Sequence, residues 1–372
     1  MRFKTGLCII TVSFLLFFGC TPKKVNENNL IQFDVSASYP EKEIALEDFA
    51  DIEYLQLEFD EDFLFINKPH IVTSEKIILS YNGDVLIFSR DGIPISKFNR
   101  KGIGTGEYVY IRELLFDEIS DEIFIESDGK ILVYSSFGEF RRTIPLAGQM
   151  NNMYCQLVNY DSETLLLYDD YNLKPSPFLF ISKQDGSVVD SIKTLKGKAV
   201  DLFVLQDGFL RFSMAYRIVK HNKGYLLTDF SIDTVYLLSH DKKLSPILVR
   251  EPKIHSMDPV VYLNSFVEAG NYEFVSAVTV MGELPKKYLM RDKKTGLVYR
   301  QKITFKDYKG KVVYLSPETI ANTQDSRLGL IVFELDELIE ANNENKLGGK
   351  LKELVENSDE EGNSIYMLLH FK

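Results

Sequence analysis

The sequence predicts an all-β chain folded as a six-bladed β-propeller, and three observations lead there. Strand-length apolar runs recur along it, Asp-Gly or an equivalent pair sits between many of them, and the combined unit returns about every 50 residues, the period of a propeller blade. Aromatic residues make up 12% of the 372, with 26 Phe, 20 Tyr and no Trp, a composition that favours strands over helices.

The units follow in order. The first contains Lys76–Tyr81 (KIILSY), Asp84–Ser89 (DVLIFS), the turn Asp91-Gly92 and Ile93–Phe98. The second has Glu122–Glu126, Lys130–Ser135 (KILVYS), Gly138 in the turn and Phe140–Ile144. Thr164–Tyr168, Pro177–Ser182 (PFLFIS), Asp185-Gly186 and Ser187–Ile192 make the third. Gly224–Phe230, Thr234–Ser239 (TVYLLS), Asp241-Lys242 and Leu244–Val249 make the fourth. A fifth runs through Tyr272–Val280, Lys287–Arg291, Lys294–Gly296 and Leu297–Ile303. Asp-Gly between apolar alternations is a hairpin signal, because glycine tolerates the positive φ that such turns need.

Third strands begin near residues 84, 130, 177, 234 and 287, so the spacing is 46, 47, 57 and 53. A four-stranded sheet cannot bury both faces alone, whereas radial stacking of sheets buries both and leaves only short edges. The sixth blade is expected from both ends of the chain. Ile31–Val35 and the segment to Leu57 would pair with Leu328–Leu335 and Ser364–Phe371 (SIYMLLHF), closing the ring. A β-sandwich, or two, is the alternative, because the spacing drifts by 11 residues.

Two helical elements interrupt the strands. Ser316-Pro317-Glu318 supplies a cap residue, proline at the first helical position and an acid in the first turn. Glu334–Glu356 carries Leu335, Leu338, Ile339, Leu347, Leu351 and Leu354 at helical intervals, and Gly348-Gly349 breaks it into two helices or one with a hinge. It reads as an insertion in the closing blade, packed on one rim; a partner-binding helix is the sharper alternative.

The N-terminus sets the compartment. Arg2 and Lys4 precede an uncharged, mostly apolar run from Leu7 to Phe18, followed by Gly19-Cys20. This is the layout of a secretory signal, and the run is shorter than the roughly 20 residues a membrane helix needs. A cysteine directly after Gly19 changes the expectation to lipoprotein processing, with residues 1–19 removed and Cys20 lipidated. Several acyl chains anchor stably because each buried methylene contributes about 0.8 kcal/mol. Phe17 and Phe18 depart from the Leu and small residue usual in such a box, so an ordinary apolar signal is the alternative. Residues 20–29 (CTPKKVNENN) are polar and aperiodic, the composition of a flexible tether to a propeller domain spanning 30–372. Thr21 stands where aspartate is associated with inner-membrane retention, so the outer membrane is expected, on either face.

Removal of Arg2 and Lys4 takes the net charge from −11 to −13. Such acidity argues against nucleic acid or anionic lipid as a partner, since both require basic patches. With Cys8 in the signal and Cys20 lipidated, Cys155 is left alone, so no internal disulfide is expected. It reads as a small buried apolar residue, with a reactive thiol as the alternative.

Leu55–Glu58 (LQLE), Phe88–Gly92 (FSRDG), Gly102–Tyr108 (GIGTGEY), Lys130–Tyr134 (KILVY) and Gly138–Phe140 (GEF) together are similar to a known pattern. They resemble the six-bladed β-propeller lipoproteins of Bacteroidales gut bacteria, a family related to NHL-repeat propellers. The resemblance is strongest over residues 50–145, and the C-terminal helix and Leu368–Lys372 also fit. Through the middle of the chain only the blade spacing agrees. The family usually has proline where Thr105 stands here, which touches the rigidity of the glycine loop. The resemblance implies fold and location; it implies little about activity.

Gly102-x-Gly104-x-Gly106 invites comparison with a dinucleotide loop, but the spacing is wrong and strand-like residues follow. A connection between blades, with glycines adopting positive φ, explains it better. Gly104, Gly106, Glu107 and Tyr108 are then candidate ligand-binding residues, with Glu107 and Tyr108 expected near a central funnel. The five histidines, at 70, 221, 240, 255 and 370, form no metal-binding spacing; only His221 and His240 are placed to converge across a blade. Asp169-Asp170 and Asp359–Glu361 lack calcium-loop spacing, and there is no G-x-S-x-G elbow. No metal, cofactor or catalytic residue is assigned.

Three functions are therefore open. One is a non-enzymatic module binding a glycan, peptide or small molecule at the propeller's central rim. Another is a scaffold docking an envelope protein through a flat face or the Glu334–Glu356 helices. The third is a glycan lyase or hydrolase with acids gathered at the funnel. Convergent acids, histidines or tyrosines within hydrogen-bond reach favour the enzyme, and a plugged axis favours the scaffold.

Overall fold

The hairpins that define the repeat share one local chemistry. In the first four blades the third strand ends in serine, and its hydroxyl accepts backbone N–H groups of the turn: Ile93 N at 3.1 Å on Ser89, Glu139 N at 3.2 Å on Ser135, Gln184 N at 3.1 Å on Ser182 and Lys243 N at 3.2 Å on Ser239. The turn then needs one positive φ, supplied by Gly92, Gly138, Gly186 and Gly296, and by Lys242 in blade 4. Gly138 has a second reason to lack a side chain, because a Cβ there would meet the Phe98 ring of the preceding blade at 2.5 Å. Each hairpin is thus shaped to dock on its neighbour.

The computed structural model describes residues 30–58, 63, 71–146, 155–169, 177–193, 203–206, 209–212, 216–229, 231–279, 286–320, 323, 325–359 and 362–372. Cys20 and the tether, His70, Asp170 and Glu360-Glu361 lie outside them, as does the side chain of Cys155. Three N-terminal strands come first: β1 (Ile31–Asp34), β2 (Glu41–Ala45) and β3 (Ala50–Gln56). Blade 1 is β4 (Ile71–Val72), β5 (Lys76–Tyr81), β6 (Asp84–Ser89) and β7 (Pro94–Asn99). Blade 2 is β8 (Glu113–Asp117), β9 (Glu122–Ser127), β10 (Lys130–Ser135) and β11 (Phe140–Pro145). Blade 3 is β12 (Cys155–Asn159), β13 (Thr164–Asp169), β14 (Phe178–Ser182) and β15 (Val188–Ile192).

A separate hairpin, β16 (Phe203–Gln206) with β17 (Phe209–Phe212), follows blade 3 and accounts for the 57-residue spacing. Blade 4 is β18 (Ile218–His221), β19 (Gly224–Leu227), β20 (Thr234–Ser239) and β21 (Leu244–Glu251). Blade 5 is β22 (Val261–Ala269), β23 (Tyr272–Thr279), β24 (Lys287–Asp292) and β25 (Val298–Thr304). The closing blade combines helix α1 (Pro317–Ile320), β26 (Leu328–Phe333), β27 (Ile365–Phe371) and β3. β27 and β3 pair antiparallel from Ile365↔Gln56 to Phe371↔Ala50, so the two ends of the chain meet and seal the ring of six blades.

One expectation is corrected. Ile31–Asp34 does not enter the closing blade: β1 adds in parallel to the outer strand of blade 4, and β2 adds in parallel to the outer strand of blade 5. Only β3 reaches the closing sheet. The N-terminal segment is therefore a strap over three consecutive rims. It holds because Phe33, Val35 and Leu46 are buried in the core while its backbone completes ladders that outer strands otherwise leave open.

The insertion of the closing blade forms two helices, α2 (Leu335–Asn343) and α3 (Gly349–Glu356). Leu335, Leu338, Ala341, Leu351 and Val355 bury into the cluster that also holds blade 5, which answers where their apolar stripe goes. Among the described residues no helix is long and apolar enough to cross a membrane.

Inner strands of neighbouring blades touch along the axis, β4 with β8, β8 with β12, and β18 with β22. They run in one direction, so their first residues gather on one side of the ring, here the upper side, and their last on the lower. Helix α1 touches β18, β22 and β23, and Thr323 pairs in parallel with Val72 of β4. Helix α1 and Thr323 thus stand where the closing blade would have its inner strand. With Pro317, Thr319 and Ile320 buried, they fill that side of the axis.

Candidate functional site

The glycine loop after β7 lies in the crevice between blades 1 and 2, and its polar atoms are used within the fold. The Tyr108 hydroxyl donates to Gly83 O at 2.7 Å and accepts from Arg100 N at 3.0 Å, in a fully buried position. Tyr134 of blade 2 donates to Gly106 O at 2.9 Å, and its ring packs edge-on against Tyr108 at 6.1 Å. The Glu107 carboxylate accepts from Gly104 N at 2.8 Å and folds over the loop's own backbone. Gly106 has φ +70°, and a Cβ there would meet the Phe140 ring at 2.8 Å. Gly104, Gly106, Glu107 and Tyr108 thus form a staple between two blades, away from the axis. Ile103, 95% exposed, and Thr105 face outward from the loop.

The ionisable groups that do converge on the axis come from residues sequence reasoning did not single out. Glu113 opens the inner strand of blade 2, and the β8–β9 register sets Glu126 directly opposite it. Side chains so placed have Cβ atoms about 5 Å apart, and like charges there repel. Leu114, Phe116, Ile123 and Ile125 of the same strands pack into blade 1, so Glu113 and Glu126 face the wedge toward blade 3. Arg112 Nε forms an ion pair with Glu126 Oε2 at 3.3 Å, and that oxygen accepts no hydrogen bond although Glu126 is 1% exposed. Burial, then the neighbouring Glu126, pushes the Glu113 carboxyl up to about 8, with Arg112 opposing. Burial likewise raises Glu126.

Across the axis, Tyr216 leads into β18. Its hydroxyl is pushed up to about 12, first by burial and then by the carboxylates of Glu318 and Glu113. These three groups therefore share one electrostatic environment although they come from blade 4, α1 and blade 2. Glu318 also pairs with Lys286. Two tyrosines flank the mouth with fixed ring planes. Tyr314, 46% exposed, stacks on Tyr288 at 4.4 Å and 14°; Tyr110, 40% exposed, is held by Arg112, which donates to its hydroxyl at 2.6 Å. Braced aromatic faces beside carboxylates can bind an apolar or cationic ligand surface with little ordering cost.

Several other polar groups on the upper side have partners, although Arg250 Nε near the end of β21 is also buried without a hydrogen-bond partner. Gln156 caps the start of β18 through Arg217 N, Ile218 N and Ile218 O, and Arg217 lies over the rings of Tyr168 and Tyr262. Tyr168 donates to Asp229 at 2.8 Å. The two histidines of blade 4 do not form a pair: His221 faces Glu268 of blade 5 at 3.4 Å, while the carbonyl of His240 accepts from Tyr160. Among the described residues no three His, Cys, Asp or Glu side chains gather as metal ligands.

No curated protein matches the chain. Among solved structures it is similar to a Bacteroides fragilis protein described as exported, at 16% identity and a TM-score of 0.63, covering 92% of this chain and 99% of that one. It is also similar to a member of the DUF4221 family from Bacteroides vulgatus, at 11% identity and a TM-score of 0.49, covering 87% of this chain and 98% of that one. The first likeness bears on the fold. The model of the domain of unknown function DUF4934 matches residues 30–370, nearly the whole propeller, and the chain belongs to that family.

Proposed function

We propose that this protein is an exported lipoprotein, anchored at Cys20 in the outer membrane of the cell envelope, whose propeller binds a ligand at the upper mouth of the ring without transforming it. The observation that carries the binding reading is the Glu113–Glu126 pair: two facing carboxyls at the axis, one of them fully buried with an oxygen that accepts no hydrogen bond. A buried polar group without a hydrogen bond destabilises a fold by about 1–3 kcal/mol, so one that is retained calls for an explanation, and a ligand is the one proposed here. The glycan, peptide or small molecule enters beside Tyr110 and Tyr314, with the membrane tether keeping the ring close to the bilayer. The Bacteroides fragilis neighbour described as exported is consistent with the compartment.

Two experiments test this. A thermal-shift screen of glycans and peptides against the full chain should find compounds that raise the melting temperature, and Glu113→Gln should abolish that rise. If none moves it, the binding reading fails. Replacing Cys20 by Ser should abolish palmitate labelling and release the protein from membranes; persistent labelling removes the anchor.

One observation favours a second reading. A carboxyl with its pKa near 8 is a competent general acid at neutral pH, so a glycan hydrolase or lyase using Glu113 is the enzymatic alternative. Cleavage of a bound glycan that Glu113→Gln eliminates, with binding intact, would establish it.

A further inference from the structure

The chemistry of the acid pair goes further than the existence of a site. We infer that the ligand presents a primary ammonium or amine group, held between Glu113 and Glu126 and bounded by Tyr110 and Tyr216; this rests on the binding reading above.

Charge and donor count point to this ligand. Glu113 and Glu126 stand opposite one another on adjacent strands, and the cation beside them is Arg112. With both carboxylates ionised the trio carries one net negative charge. The Arg112 guanidinium is shared: Nη2 donates to Tyr110 Oη at 2.6 Å, and Nε forms an ion pair with Glu126 Oε2 at 3.3 Å. Glu126 Oε1 accepts a long bond from Gly129 N at 3.3 Å, and Oε2 accepts none. What the described residues of the wedge lack is a compact positive group with several N–H donors, which describes an ammonium. A neutral hydroxyl supplies one donor and leaves the charge unbalanced. An anion would add to the repulsion. A metal ion needs further ligands, and among the described residues no third His, Cys, Asp or Glu joins the pair.

The surroundings fit the same ligand. Tyr110 presents an exposed ring already engaged face-on by Arg112 at 5.4 Å, so its π-face lies in a cation-binding environment. Tyr216, a neutral phenol, and Glu318, paired with Lys286, face the acid pair from the far side of the axis. Without ligand the pair relieves its repulsion by keeping a proton. Binding of an ammonium therefore displaces up to one proton from the carboxyl pair, and affinity rises with pH as long as the ligand stays protonated.

The test uses the full chain with paired probes. Putrescine is compared with 1,4-butanediol and glucosamine with N-acetylglucosamine, so each pair differs in its cationic nitrogen. The charged member should raise the melting temperature by several degrees at millimolar concentration and the uncharged member should not. Putrescine, whose amines stay protonated throughout, should give a larger shift at about pH 8.5 than at about pH 6, and calorimetry in two buffers of different ionisation enthalpy should show proton release. Glu113→Gln and Glu126→Gln should each remove the response; their unliganded melting temperatures, at or above the wild-type value, show that they fold. Equal shifts from charged and uncharged probes, or a response that survives both substitutions, overturn the inference. Binding of N-acetylglucosamine alone, lost in Glu113→Gln, overturns it while leaving the site itself standing. Silence from every amine probe, when a neutral glycan from the wider screen binds, does the same.

Discussion

Strand β8 carries an acid at each end, both facing blade 3, and the two have opposite fates. At the lower end Asp117 accepts from Lys183 Nζ at 2.7 Å and from Ile119 N at 3.1 Å, and both side chains of the ion pair are almost fully buried. Burial works to raise Asp117, but Lys183 outweighs it and holds the carboxyl below its usual range. At the upper end Glu113 faces another carboxylate and is driven the other way. Burial acts on both carboxyls; among the described residues, only Asp117 receives a counter-charge from the neighbouring blade. Blade 3 reaches Asp117 with the residue that follows its third strand. Similar pairs recur around the lower side, Lys76 with Asp121, His221 with Glu268 and Arg90 with Glu53, each joining consecutive blades. Among the described residues the lower side thus joins its blades by ion pairs, whereas the upper side sets two facing carboxyls beside a single arginine at the axis. That contrast is the physical basis for placing function above.

The sharpest way to break it is Lys183→Ala. Removing one partner of a buried pair leaves an uncompensated charge, so stability should fall by about 3–5 kcal/mol in chemical denaturation. The sign with pH also follows. Asp117 has a depressed folded pKa, so its contribution is present above the usual carboxylate range and is lost as pH falls through the folded value. The substitution should flatten that acid limb, and a variant as stable as wild type would end the claim that the lower side is structural.

A middle-sized effect is expected from Tyr108→Phe. The loss of one hydroxyl strands Arg100 N and Gly83 O, at about 1–2 kcal/mol, and ligand-induced thermal shifts should persist. If ligand response disappeared in a folded Tyr108→Phe protein, the glycine loop would be part of the site after all.

The smallest effect on stability belongs to Glu113→Gln. Glu113 has a raised folded pKa, so its protonated form is fully favourable below the usual carboxylate range and stability drains away as pH climbs through about 8. The wild-type melting temperature should decline between about pH 5 and pH 9 relative to the glutamine variant, which has no proton to lose there. Parallel profiles would mean the pair is already neutralised, and the contrast between the two ends of β8 would collapse.

Much of the fold is legible in the residues. The third strands lie within a residue of where the apolar runs place them, because a buried four-strand sheet demands apolar stretches of fixed length and its turns demand a positive φ. Gly348-Gly349 marks the break between α2 and α3 for the same kind of local reason. The site is different. Glu126 stands in a strand recognised by its apolar neighbours, Glu113 in an inner strand that the apolar runs did not mark, and nothing local distinguishes either from a solvated strand-end acid. A weak signal existed: a glutamate at the start of an inner strand, directly after an arginine, across a hairpin from another glutamate.

What the sequence by itself determined is therefore whatever depends on neighbours along the chain: strand lengths, hairpin turns, the blade repeat and the helical insertion. Tertiary structure decided which outer edge the N-terminal strap would cover, and whether each acid would meet a counter-ion or another acid. Those outcomes depend on residues brought together from different blades, such as Lys183 with Asp117 or Tyr216 with Glu113, and on the desolvation that only the closed ring imposes.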